Sequence, residues 1–150
     1  MTAFSDWLEK SILGTIFNGG ANFSSSATLY VSLHSGDPAD IGLCELPASY
    51  SYTRAAIPTN SWSTVLSEGA GSNSGWYVAN SSQLNFPQAS STWGTVNYVG
   101  IWNSSSGLVT ATNGSNSQYF LFGGSLSESR TVNTSDTFRF NAGDLKVILR

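Results

Sequence analysis

The 150-residue sequence is short of charge: Lys, Arg, Asp and Glu together make up 10% of it, against ~25% in ordinary soluble domains. Its six Lys plus Arg are scattered singly, so there is no basic stripe for a phosphate backbone, and nucleic acid is not an expected partner. Cys44 is the sole cysteine, which excludes an intrachain disulfide and suits folding in a reducing cytoplasm. No apolar run approaches the ~20 residues of a membrane span. The opening Met1-Thr2-Ala3-Phe4-Ser5-Asp6 also lacks the basic stretch of a secretory signal. Neither membrane association nor export is expected, so the five Asn-x-Ser/Thr triplets, at Asn22, Asn80, Asn103, Asn113 and Asn133, read as chance in a chain rich in Asn and Ser.

What is present is apolar and aromatic. Hydrophobic residues reach 40%, aromatics 13%, and the net charge is only −3, so the usual reason for a chain failing to collapse is missing. Polarity comes from Ser, Thr, Asn and Gly, which tolerate tight turns and lose little when buried against a partner. Such a composition fits either a loop-rich β protein or a subunit whose surface ends up inside an assembly.

Residues 5–17 predict the one helix. Ser5 is positioned to cap it, Asp6 and Glu9 suit its positive end, and Leu8, Ile12 and Ile16, flanked by Trp7, Leu13 and Phe17, give a wide apolar face. Asn18-Gly19-Gly20 then stops it. A helix this short must pack on something, either its own sheet or a neighbouring subunit.

After Gly20 the pattern is strands and turns. Leu29, Val31 and Leu33 alternate with Tyr30, Ser32 and His34, and Ser35-Gly36-Asp37-Pro38 closes that strand. Further strands are expected over 50–57, 83–86, 95–102, 119–122 continuing toward Leu126, 137–140 and 145–149. Residues 60–82 read as a polar excursion carrying Trp62 and Trp76, and a polar loop is expected near Asn113-Gly114. The fold class is therefore mainly all-β: one antiparallel β-sandwich or jelly-roll-like domain spanning 1–150, with a short N-terminal α-helix.

Catalytic, cofactor and metal chemistry find little footing. His34, the only histidine, would have to serve as the base of any Ser-His-Asp triad, yet Gly71-Ser72-Asn73-Ser74-Gly75 carries asparagine where a nucleophile elbow needs serine. His34 reads instead as a solvent-facing or interface residue on the polar side of its strand. Nothing favours pairing it with Cys44. Asp37, Asp40 and Glu45 lack the alternating spacing of a calcium loop and read as a solvated turn. Glu68, Glu128, Asp136 and Asp144 show no pattern marking a glycosidase pair. Trp93 and Trp102 lie in or beside strands and read as core. Trp7, Trp62 and Trp76 are the candidates for protein–protein contact, with sugar stacking by Trp62 and Trp76 a lesser alternative.

An ordered set of stretches carries a resemblance. Phe4-Ser5-Asp6-Trp7-Leu8-Glu9 leads to Thr28-Leu29-Tyr30-Val31-Ser32-Leu33 and Gly36-Asp37-Pro38, then to Glu45 and Tyr52-Thr53-Arg54. Asn85-Phe86-Pro87, Trp93-Gly94-Thr95-Val96, Gly100-Ile101-Trp102, Phe122-Gly123-Gly124-Ser125-Leu126, residues 131–138 and Ala142-Gly143-Asp144-Leu145 follow. Together they resemble a family of small tailed-phage virion proteins. The resemblance implies a structural role in the virion, assembly in the host bacterial cytoplasm, and no catalytic residues to transfer.

A neutral, aromatic-bearing contact surface suits a head decoration (cement) protein bound to the major capsid protein; the alternative is a tail or tail-fibre component bound to tail proteins, and a carbohydrate-binding receptor module ranks third. Self-association, most simply into a closed oligomer such as a trimer, is expected from the lack of repelling charge.

Overall fold

The computed structural model describes residues 3–4, 6–18, 27–69, 75–106 and 120–149. A two-residue strand β1 (Ala3–Phe4) precedes helix α1 (Asp6–Asn18). Nine further strands follow: β2 (Thr28–His34), β3 (Ala55–Pro58), β4 (Leu66–Glu68), β5 (Gly75–Ala79), β6 (Leu84–Gln88), β7 (Gly94–Trp102), β8 (Phe120–Val132), β9 (Thr137–Phe140) and β10 (Lys146–Leu149). The protein is mainly antiparallel β-sheet with one short helix, as its periodicity implies. The expected cap at Ser5, the Gly19-Gly20 stop and the loop near Asn113-Gly114 lie outside the described residues.

A five-stranded sheet in the order β1-β8-β7-β2-β3 forms the frame, beside a three-stranded sheet β10-β5-β4 and a two-stranded ribbon β6-β9. The alternation in β2 divides its side chains between two faces. Val31 and Leu33 meet Ala55, Ile57, Val96 and Val99 of neighbouring strands and Leu84, Phe86, Phe138 and Phe140 of the ribbon, giving a sandwich-like core. Within it Phe86 sits edge-on to Phe138 at 5.7 Å, a favoured aromatic geometry. A second cluster joins Leu8 of α1 to Ile101, Leu121 and Val147, with Ile12, Val78 and Phe122 packed against it. The helix therefore rests on its own chain through Leu8 and Ile12, while Leu13, Ile16 and Phe17 stay exposed.

Three expectations need correction. The polar excursion at 60–82 contains β4 and β5, which pair with each other and, through β5, with β10. Their burial is irregular, which is why no period showed. The strand expected over 50–57 shrinks to Ala55–Pro58, because Tyr50 and Ser51 adopt positive φ values of 54° and 67° that break an extended run. Finally, β8 runs 13 residues rather than stopping near Leu126. It does so by bulging: the ladder with β7 jumps from Tyr98↔Ser125 to Val96↔Arg130.

Candidate interaction surface

His34 is completely buried, contrary to the solvent-facing position its strand pattern suggested. Alternation correctly places Tyr30, Ser32 and His34 on one face, but the segment after β2 folds back over that face. An isolated bridge pairs His34 with Glu45, and Leu46 N–H donates to the Leu33 carbonyl at 3.0 Å. Gly42, at φ 76°, makes the cover fit: a Cβ there would lie 2.3 Å from the Trp102 ring.

Beneath this cover the hydrogen bonds run in one direction. The His34 Nδ1 lies 2.6 Å from the Leu43 carbonyl, which can only accept, so Nδ1 carries the proton and Nε2 is the acceptor. Ser32 Oγ, 2.6 Å from Nε2, then donates to it and accepts from Trp102 Nε1 at 2.6 Å. A serine hydroxyl on a histidine nitrogen resembles a nucleophile–base pair, and the i, i+2 spacing on one strand was the signal that could have found it. Here, however, Ser32, His34 and Trp102 all have zero exposure, and a carbonyl stands where a triad carboxylate would stabilise the imidazolium. Burial, the dominant influence, holds the His34 pKa below its ordinary 6.5. This arrangement ties loop to sheet. Neither imidazole nitrogen is left for Cys44, whose residue is exposed.

A charged network locks the same cover. Arg54 grips Glu45 with two bonds, Nε–Oε1 at 2.8 Å and Nη2–Oε2 at 2.6 Å, and donates to the Ser104 carbonyl at 3.0 Å. Its guanidinium lies 3.6 Å above the Trp102 ring. Tyr52 O–H donates to Glu45 at 3.2 Å and accepts from Leu33 N–H at 2.9 Å. Burial, aided by the Glu45 charge, pushes the Tyr52 phenol well above its usual range. Glu45 is thus an internal partner rather than part of a solvated turn. Asp37 caps the Ala39 N–H at 2.9 Å, and among the described residues no acidic or His/Cys cluster is arranged to hold a metal.

The exposed apolar surface lies elsewhere. A groove of about 380 Å³ opens between the three-stranded sheet and the frame, lined by Trp62, Val65, Trp76, Val78, Phe122, Leu149 and six others, none of them charged. Trp76, on β5, is 61% exposed. Trp62 is only partly accessible and packs against both core clusters, so it is a wall of the fold as well as of the groove. Its Nε1 is buried with no hydrogen-bond partner among the described residues. Trp93 and Trp102 pack with the interior as expected, Trp102 being fully buried. Trp7 lies on α1, with its side chain outside what the structure describes.

Over residues 3–148 the chain matches the Gp80 family, described as podophage GP4 fiber I protein gp80. The chain belongs to this family. No curated protein matches it. Membership of the podophage fibre family gives the chain a structural role in the virion and a place in the phage particle, among other virion proteins. It favours the tail or fibre reading over head decoration. The Glu45 and Tyr52-Thr53-Arg54 stretches that carried the resemblance are, in the fold of this fibre-family chain, the network that closes the loop over His34.

Proposed function

We propose that the protein is a non-enzymatic fibre component of a podophage tail, folded as one domain, assembled in the host cytoplasm and held in place by protein–protein contacts. The match to a fibre family along nearly the whole chain carries this reading. The uncharged groove and the exposed Trp76 support it, because a contiguous apolar surface is costly to leave in water and marks a contact site. The one serine–histidine pair is sealed from solvent, so a polymer substrate has no path to it.

Immunogold labelling of purified virions, combined with quantitative mass spectrometry, tests the placement. Label at the tail and a few to a few dozen copies per particle are expected. Label over the head with hundreds of copies would restore the decoration reading.

A further inference from the structure

We propose that two copies of this chain pair about a two-fold axis, each laying the ridge Leu13–Ile16–Phe17 of α1 into the other's groove beside Trp76. The proposal rests on the fibre reading only for its setting; the contact itself is argued from the surface.

The ridge and the groove are both apolar and lie near one another on one molecule, since α1 packs through Ile12 against the cluster that holds Val78 and Phe122 of the groove. Leu13, Ile16 and Phe17 stand at i, i+3 and i+4, the spacing by which a helix presents a single apolar edge to a groove. Ile16 stands one turn beyond Ile12, and Ile12 packs in the same cluster as Val78, Phe122 and Trp62 of the groove. A convex patch beside a concave one is what a two-fold axis needs: rotation about the boundary sets each ridge on the partner's groove.

Charge points to the same occupant. None of the residues lining the groove is charged, and neither is any residue of the ridge. A charged partner would be desolvated there without compensation, whereas a second copy offers a matching neutral surface.

The area is also sufficient. Leu13, Ile16, Phe17, Val65, Trp76 and Leu149 are between 42% and 75% exposed. At roughly 150–250 Å² for a fully exposed large side chain they present on the order of 700 Å², beyond the largest apolar patch of a usual monomer at ~300–600 Å². Doubled by symmetry, this reaches the ~1,200–2,000 Å² of a stable interface. One ridge in one groove, as in a head-to-tail chain, would bury about half as much per contact.

The test uses the full chain with two variants, Ile16→Asp on the ridge and Trp76→Asp in the groove, both at exposed positions. Circular dichroism melts check that each stays folded. Sedimentation velocity over a hundredfold dilution should show a wild-type dimer. Each variant alone should dissociate about a hundredfold or more readily, since symmetry places each change in the interface twice. An equimolar mixture should partly recover the dimer, because one intact ridge then meets one intact groove.

A wild-type monomer at every concentration, a dimer indifferent to both changes, or no recovery on mixing would each overturn the proposal. A trimer sensitive to both changes would overturn the two-fold closure in favour of a head-to-tail ring. None of these results bears on where the antibody label falls on the virion, so failure of the pairing and failure of the fibre reading are read separately.

Discussion

Replacing Arg54 by methionine keeps an unbranched apolar stem over Trp102 and deletes the guanidinium. Three losses follow at once: the two-bond grip on Glu45, the bond to the Ser104 carbonyl and the cation over the indole. The pair is largely desolvated, with side-chain exposures of 5% for Arg54 and 19% for Glu45. Breaking a buried pair from one side costs ~3–5 kcal/mol, mostly because the remaining charge is stranded. Glu45 keeps some water and the Tyr52 hydroxyl, which favours the lower end, about 3 kcal/mol. The lost cation–π contact adds about 1 kcal/mol. A total of about 4 kcal/mol is a large share of the ~5–15 kcal/mol by which domains are stable. It should lower the melting temperature by roughly 8–16 °C, at ~2–4 °C per kcal/mol for a domain of this size.

Urea denaturation followed by far-ultraviolet circular dichroism reads the change directly. The double variant Arg54→Met with Glu45→Gln should recover part of it, giving a coupling of about 2 kcal/mol or more in a double-mutant cycle. A loss under about 1 kcal/mol for Arg54→Met, the scale of an exposed ion pair, would refute the claim that this network locks the loop.

Other outcomes follow from the same geometry. Because His34 has a folded pKa below its unfolded 6.5, the folded protein binds fewer protons in that window; stability should be full above pH 6.5 and fall as pH drops through the folded pKa. His34→Gln should flatten that slope in urea midpoints taken at pH 8 and pH 5.5, and an unchanged slope would remove His34 as its source. Gly100→Ala should cost about 1–3 kcal/mol, since its Cβ would lie 2.6 Å from Ser32 Oγ and 2.8 Å from Phe120. Trp62→Phe should be milder than Trp62→Ala, because it removes a buried donor that has no partner among the described residues while keeping a ring against both clusters; equal losses in thermal melts would contradict this. Purified protein should show no turnover of host polysaccharide or peptidoglycan, and turnover abolished by Glu68→Gln or Glu128→Gln would overturn the structural assignment.

Period-2 patterning made β2 and β9 readable almost residue for residue, because one face of each is pressed into apolar neighbours. The helix was legible for the same reason at a period of 3.6, including its surplus of apolar residues: Leu8 and Ile12 satisfy the sheet, and Leu13, Ile16 and Phe17 are left over. Alternation says which side chains share a face, however, and is silent on what covers it. That is why His34 was misplaced: its cover is a loop rich in turn residues, with Pro38 and Gly42 buried inside it. Strands β4 and β5 were missed because Leu66 and Ser67 are exposed and Trp76 points outward, leaving no alternation to detect. Trp62 illustrates the converse: flanked by Ser61 and Ser63 it looks like loop, yet long-range packing makes it a wall of the interior.

The strand order of the frame also dictates a timetable. Phe4 pairs with Phe122, and Tyr30 with Ala56 on one side and Trp102 on the other, so β1 must wait for β8, while β2 meets β3 early and its second partner, β7, much later. As the ribosome adds residues in order, β3 can pair with β2 early, but the core around Val31 and Leu33 also draws on β6, β7 and β9 and is filled only as those strands emerge. The frame is complete only once β8 has emerged to pair with both β1 and β7, and a nascent chain stalled before β7 is the species expected to be most exposed to aggregation or chaperone capture.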